Sequence, residues 1–352
     1  MTLLVASAAV AAILSWSLVG LLRSYALGRG IFLTKPRPRD LHRRPTPRVG
    51  GLAIMITFLL VLATIWLVLP ERLVFSSQTL WQIDKNLLGL VLALILLSGV
   101  NLRDDFKGIH WGWKLAAQIA AAMLVAYFGI KIQTISNPFG EPFVLGRLDW
   151  LFVVAWLVLL GNAVNWLDSL NGLAGGVSAI SIAVLVVLSL SDSVNQLPNA
   201  LVGAIAFGAI IGFLVHNFFG RVFLGDVGSI MLGFLIGVLA IISGGKVATA
   251  FLVMAIPILD SIVVIVSRLV GGASPFQADS RHLAQRLLLL GWKKWQINLF
   301  IYLMSLSLGL VALNTQTIGK FWAITLSIII MLALVAFYSF APRAKGGTMK
   351  RT

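Results

Sequence analysis

The sequence predicts an all-α polytopic membrane protein, a single integral-membrane domain over residues 1–352 with about eleven transmembrane helices, and three observations carry that prediction. Of its 352 residues 59% are apolar and 11% charged, against roughly 25% charged in ordinary soluble domains. The apolar residues fall into runs of about 17 to 25, the length a helix needs to cross the hydrocarbon core. With the amino terminus outside and the carboxyl terminus cytoplasmic, 21 of the 27 Lys and Arg fall in cytoplasmic loops and six outside, as the positive-inside rule requires.

The first run, 3–23, has no basic residue before it and Arg23 and Arg29 after it. That is the reverse of a signal peptide's charge order, so the segment is expected to remain as a helix. Helices follow at 49–69, 86–102 and 112–129. Next, KIQTISNPFGEPFVLG alternates around an Asn-Pro-Phe-Gly turn and predicts a small extracytoplasmic β-hairpin. Seven more helices are expected at 150–167, 173–190, 198–215, 229–244, 247–270, 295–313 and 319–341. No Pro/Ser-rich linker divides the chain. Cysteine is absent, which excludes disulfides and thiolate chemistry. The net charge of +15 attracts anionic lipid headgroups. Nucleic acid is excluded as a partner, because the basic residues flank membrane helices and form no soluble module.

This topology gathers the unusual residues on one face. His42, His110, His216 and His282 all fall on the cytoplasmic side, with Asp104, Asp105, Asp168, Asp226 and Asp279. The adjacent Asp104 and Asp105 of NLRDDFKG repel each other unless a cation neutralises them; a solvated helix end is the plainer reading. In VFLGDVGS, Asp226 lies between glycines just before a helix, where free N–H groups favour phosphate, or where it simply caps the helix. Asn162, Asn165 and Asp168 are three apart, so they share a helix face that lines a cavity or packs on another polar helix. Asp260 lies inside an apolar run, a costly position that signals function or an anchor to a neighbouring helix. Arg281, His282 and Arg286 suit a pyrophosphate, or form a basic cytoplasmic loop with no ligand. Arg48, with Gly50 and Gly51 behind it, is a further candidate ligand contact. Paired carboxylates, a Gly-Asp-x-Gly-Ser helix start and basic loops together are the equipment of magnesium-assisted phosphoryl transfer.

In this order, PTPRVGG, DDFKG…KLAAQ, NAVNWLDSLNGLAGG, FLGDVGSIMLGF, PILD and RHLAQRLLLLG resemble the polyprenyl-phosphate N-acetylhexosamine-1-phosphate transferases. The resemblance implies an eleven-helix fold in the bacterial cytoplasmic membrane with its active site on the cytoplasmic face. A polyprenyl phosphate would attack the β-phosphorus of a UDP-sugar, with N-acetylglucosamine the expected sugar, releasing UMP. It implies Mg²⁺ or Mn²⁺ on Asp226, with Asp104 and Asp105 organising the metal and the attacking phosphate. Lys114 would contact phosphate and Phe223 the nucleobase, while Asp168 and His282 would complete the catalytic set. Arg48, Asn162, Asn165, Asn171, Arg281 and Arg286 would bind substrate. A homodimer is left open. Two departures stand out: Asn171 replaces a second aspartate common in the family, and only His282 remains of a His-x-His-His pattern. Other readings are the same reaction with a 6-deoxy-N-acetylhexosamine or N-acetylmuramoyl-pentapeptide donor, a transporter or flippase built around Asp260, and a catalytically impaired relative.

Overall fold

A computed structural model describes residues 1–34, 45–76, 78–244, 246–272 and 282–340. The helices are α1 (Thr2–Arg29), α2 (Gly50–Val68), α3 (Lys85–Lys107), α4 (Trp111–Tyr127), α5 (Asp149–Leu167), α6 (Leu173–Leu190) and α7 (Leu197–Asn217). They continue as α8 (Gly225–Ile242), α9 (Val247–Val253), α10 (Ala255–Val270), α11 (Leu283–Leu289), α12 (Lys294–Asn314) and α13 (Thr317–Phe340). Among the described residues, eight helices are long and apolar enough to cross a membrane, or nine if α9 and α10 form one span. The all-α polytopic fold is therefore as expected, while the count of eleven is not established. The two remaining candidates are α4, with 17 residues, and the apolar stretch Thr317–Ala333 of α13.

One element differs outright. The straight helix expected over 247–270 is broken at Met254, where α9 and α10 meet at 79°. Pro257 supplies the reason: it has no N–H to donate to Val253, and its ring crowds that carbonyl. The hairpin is present as expected, with β5 (Thr134–Ile135) antiparallel to β6 (Phe143–Val144). Two further short pairs join β1 (Leu33–Thr34) to β2 (Thr46–Pro47) and β3 (Thr79–Leu80) to β4 (Ile83–Asp84).

α8 is the axis of the bundle. Every residue from Val227 to Ile241 is buried, between α5, α3, α2 and α6. Close approach depends on glycine: a Cβ on Gly233 would sit 2.2 Å from the Leu160 carbonyl oxygen, and one on Gly51 of α2 would sit 2.1 Å from the Gly228 nitrogen. Because successive long helices alternate in direction, loops fall on two faces. On one, Asp84 caps α3 through the Asn86 and Leu87 N–H groups, and Lys131 reaches Asp149 at 3.4 Å beside the hairpin. The other face carries the starts of α2, α4, α6 and α8 and the ends of α3, α5 and α7, where the polar loops meet.

Candidate active site

The site is assembled on backbone first. The segment before α2 docks on the segment before α8: Phe223 N–H donates to the Pro47 carbonyl at 2.9 Å, Gly50 N–H to Phe223 at 3.0 Å and Gly51 N–H to Leu224 at 2.8 Å. This lattice holds Arg48 and Phe223 beside the first turn of α8. Arg48 is tied back to the β1–β2 pair, its N–H donating to the Phe32 carbonyl and its Nε to Thr34 Oγ1 at 2.6 Å.

The two aspartates of α3 point to different partners. Asp105 has a fully buried side chain; its Oδ1 accepts from Asp226 N–H and its Oδ2 from Val227 N–H, each at 3.1 Å. It thus satisfies the exposed N–H groups at the start of α8 and complements the positive end of that helix. Gly225 makes room for it, since its φ is +75° and a Cβ there would meet Asp105 Oδ2 at 2.7 Å. Asp104 accepts from Ile109 N–H at 2.8 Å and from Lys114 Nζ at 2.9 Å. The same ammonium contacts Asp226 Oδ2. Lys114, one turn into α4, therefore bridges α3 and α8. Arg48 approaches Asp105 Oδ1 at 3.8 Å.

Asp168 follows the last residue of α5 and faces the same cluster. Burial, and then the neighbouring Asp226 and Asp105 carboxylates, push it up to about 7, against the opposing pull of Arg48 and the Gly225 N–H. Arg48, Asp104, Asp105, Lys114, Asp168 and Asp226 are thus brought together from four separate stretches of sequence. Among the described residues no three carboxylates or imidazoles form a ready-made metal site; Lys114 stands between two of the candidates.

The asparagines brace this cluster. Asn165 donates to Ser229 Oγ at 2.9 Å, and Ser229 in turn donates to the Gly225 carbonyl. Asn162 lies one turn earlier and exchanges hydrogen bonds with Gln118 of α4. The Asn171 backbone carbonyl accepts from Asn298 at 2.8 Å, and its side-chain Nδ2 faces Gly220. Gly172 is clamped by Asn217 Oδ1 on its N–H, at 2.6 Å, and by the Tyr302 hydroxyl on its carbonyl.

His282 is buried before α11, its ring 6.2 Å from that of Trp166, two residues ahead of Asp168. Its Nδ1 lies 2.8 Å from Asp260 Oδ2. Asp260 is therefore paired with His282 and is not an isolated buried carboxylate. Arg286 follows one turn into α11, half-buried. Arg281 and Asp279, like His42, lie outside the described residues. Gln118, Asn217, Ser229, Asn298 and Tyr302 hold the loops but were not singled out from sequence. Gln118 and Ser229 stand inside the quoted motifs; the other three carry no local signal.

Residues 87–244, which hold five of the six clustered residues, match the family described as glycosyl transferase family 4. The chain is 31% identical to a decaprenyl-phosphate N-acetylglucosaminephosphotransferase of Mycolicibacterium smegmatis over 92% of its own length and 85% of the relative's. It is 28% identical to a probable undecaprenyl-phosphate N-acetylglucosaminyl 1-phosphate transferase of Bacillus subtilis, over 86% and 83%. It is 27% identical to a phospho-N-acetylmuramoyl-pentapeptide-transferase of Halalkalibacterium halodurans, over 89% and 96%. Similarity that runs through nearly the whole chain as well as its central helices settles the family: the chain belongs to glycosyl transferase family 4, among the polyprenyl-phosphate sugar-phosphate transferases its motifs resemble.

Proposed function

We propose that the protein transfers N-acetylglucosamine-1-phosphate from a UDP-sugar to a membrane polyprenyl phosphate, on the cytoplasmic face of a bacterial inner membrane. The observation that carries this reading is the meeting of Asp104, Asp226 and Lys114 at the start of α8. An oxygen of the lipid phosphate attacks the β-phosphorus, the bond from that phosphorus to the bridging oxygen breaks, and UMP leaves with the electron pair. Sidedness is supported by the 21 Lys and Arg that the topology gives to this face.

The donor set fits a divalent cation. Asp104 and Asp226 are hard oxygen donors of the kind magnesium takes, and the space between them already accepts a positive charge, the Lys114 ammonium. Asp226 and Asp104 would hold the ion, which when bound neutralises phosphate charge. Lys114 then pairs with a phosphoryl oxygen of the substrates, and Arg48 adds a second positive charge beside it. Asp105 holds the α8 start through its two backbone hydrogen bonds and so fixes Asp226. Asp168 lies within the field of Arg48. The lipid phosphate, largely dianionic near neutrality since its second pKa is about 6, needs no general base.

Purified protein given radiolabelled UDP-N-acetylglucosamine, polyprenyl phosphate and Mg²⁺ should form labelled lipid and release UMP. Lipid formation from no UDP-sugar, or equal behaviour of an Asp226→Asn variant, overturns the proposal. A second donor, UDP-N-acetylmuramoyl-pentapeptide, is favoured by the likeness to the Halalkalibacterium halodurans protein and belongs in the same assay.

A further inference from the structure

Asp260 has no part in the transfer as described, yet both its oxygens are engaged. It is buried on α10 amid apolar neighbours, where a charge is expensive to keep. Oδ2 takes a hydrogen bond from His282 Nδ1 at 2.8 Å and Oδ1 one from the Leu283 N–H at 2.8 Å. A carboxylate only accepts, so the proton in this contact is on Nδ1, which leaves Nε2 as the nitrogen for a second partner. The tie joins α10 to the start of α11, and Trp166 lies alongside the ring. A tie serving the fold alone would be met by a neutral side chain at lower cost. A carboxylate does something further: a ring held between it and a diphosphate donates to both, one charge-assisted bond from each nitrogen.

We propose that Asp260 is a positioning residue of the donor-nucleotide site, holding His282 so that Nε2–H meets the diphosphate of a nucleoside-diphosphate sugar. This rests on the reading of the chain as a UDP-sugar transferase. The His282 side chain, about one-tenth exposed, retains limited access for such a contact. Asp260 acts on the ligand only through His282, and that separates it from a residue that merely stabilises the bundle.

Calorimetric titration of the full-length protein in detergent micelles with UDP and with UMP tests this. In Asp260→Asn the Kd for UDP should rise about tenfold, as loss of one charge-assisted bond implies, while the Kd for UMP stays within about twofold. His282→Gln should show the same UDP-selective loss, and adding Asp260→Asn to it should change the UDP Kd by less than about twofold, since the two act as a unit. Equal losses for UDP and UMP, an unchanged UDP Kd, or additive losses in the double variant would each overturn the proposal. If Asp260→Asn does not fold, His282→Gln decides, with UDP-selective loss in support and its absence against. Wild-type protein that neither binds UDP nor forms labelled lipid defeats the transferase reading and this proposal together. Wild-type binding with indifferent variants defeats this proposal alone.

Discussion

Replacing Gly51 with alanine puts the site's scaffold to a direct test. A Cβ at position 51 would lie 2.1 Å from the Gly228 nitrogen and 2.4 Å from its Cα, with the Leu224 carbonyl oxygen at 2.8 Å. These are backbone atoms and cannot rotate away. Restoring ordinary contact at 3.4 Å requires α2 and the start of α8 to part by about 1.3 Å. Overpacking of this kind costs roughly 1–3 kcal/mol. Loss of the Gly50–Phe223 and Gly51–Leu224 hydrogen bonds adds about 0.5–1.5 kcal/mol each. The same separation moves Arg48 relative to Asp226, and a displacement of about 1 Å costs on the order of 100-fold in rate. Initial rates of labelled-lipid formation in detergent micelles should fall by about that factor, with a thermal midpoint lower by roughly 5 °C or more. Gly99→Ala, where a Cβ meets nothing within 4 Å, is the matched control and should be neutral. A Gly51→Ala variant within about threefold of the wild-type rate and at its midpoint would refute the interlocking of α2 and α8 as the support of the site.

Asp226→Asn should lower turnover roughly 10²–10³-fold at saturating Mg²⁺, read from UMP release; retention of more than a tenth of the rate would remove Asp226 from the reacting centre. Asn171→Asp should leave turnover within about tenfold, because Asn298 binds the backbone carbonyl of Asn171 and not its side chain; a large gain from near zero would mean that the native chain is impaired. With divalent cations chelated, Asp168 is held up at about 7 against an ordinary 3.8 by burial and by Asp226 and Asp105. A raised folded value gives stability that is complete below the unfolded value and is lost as pH rises through the folded one. The thermal midpoint should therefore fall as pH rises from roughly 4 to 7, and less steeply in Asp168→Asn; identical slopes would show that Asp168 does not carry the effect.

The apolar runs were legible because a membrane helix writes its length directly into the sequence, and the hairpin was legible from its Asn-Pro-Phe-Gly turn. The bend at Met254 was not, although Pro257 was in plain view, because hydropathy is blind to helix direction and proline is tolerated in membrane helices. Asp104, Asp105, Asp168 and Asp226 were found as anomalies against an apolar background. Their pairings were not, since Asn165 meets Ser229 across 64 residues and Lys114 meets Asp226 across 112. With 33 glycines in the chain, nothing in the sequence marks Gly51 and Gly228 as the two that touch. Asp260 was conspicuous inside its apolar run, yet its partner His282 lies 22 residues away and nothing in that spacing pairs them.

The Asp-Asp pair looks from sequence like two equivalent carboxylates sharing a cation, and the structure divides their labour. Successive residues on a helix point about 100° apart, so both side chains of the pair cannot face one ion squarely. Asp104 turns to Lys114 and the Ile109 N–H. Asp105 turns to the first N–H groups of α8, beneath the residue proposed to hold the metal. Its substitution would then act through the position of Asp226 as much as through charge. Asp105→Asn puts an amide donor against one of two N–H donors, leaving a buried group unsatisfied at roughly 1–3 kcal/mol. The start of α8 would loosen before any ligand binds. Asp104→Asn leaves those N–H groups paired and, with its amide oxygen kept on the Ile109 N–H, gives up the charge that faces Lys114 and the ion, so a thermal midpoint that falls further in Asp105→Asn than in Asp104→Asn, measured without divalent ions, separates support from coordination. Equal midpoints would return the pair to a shared role.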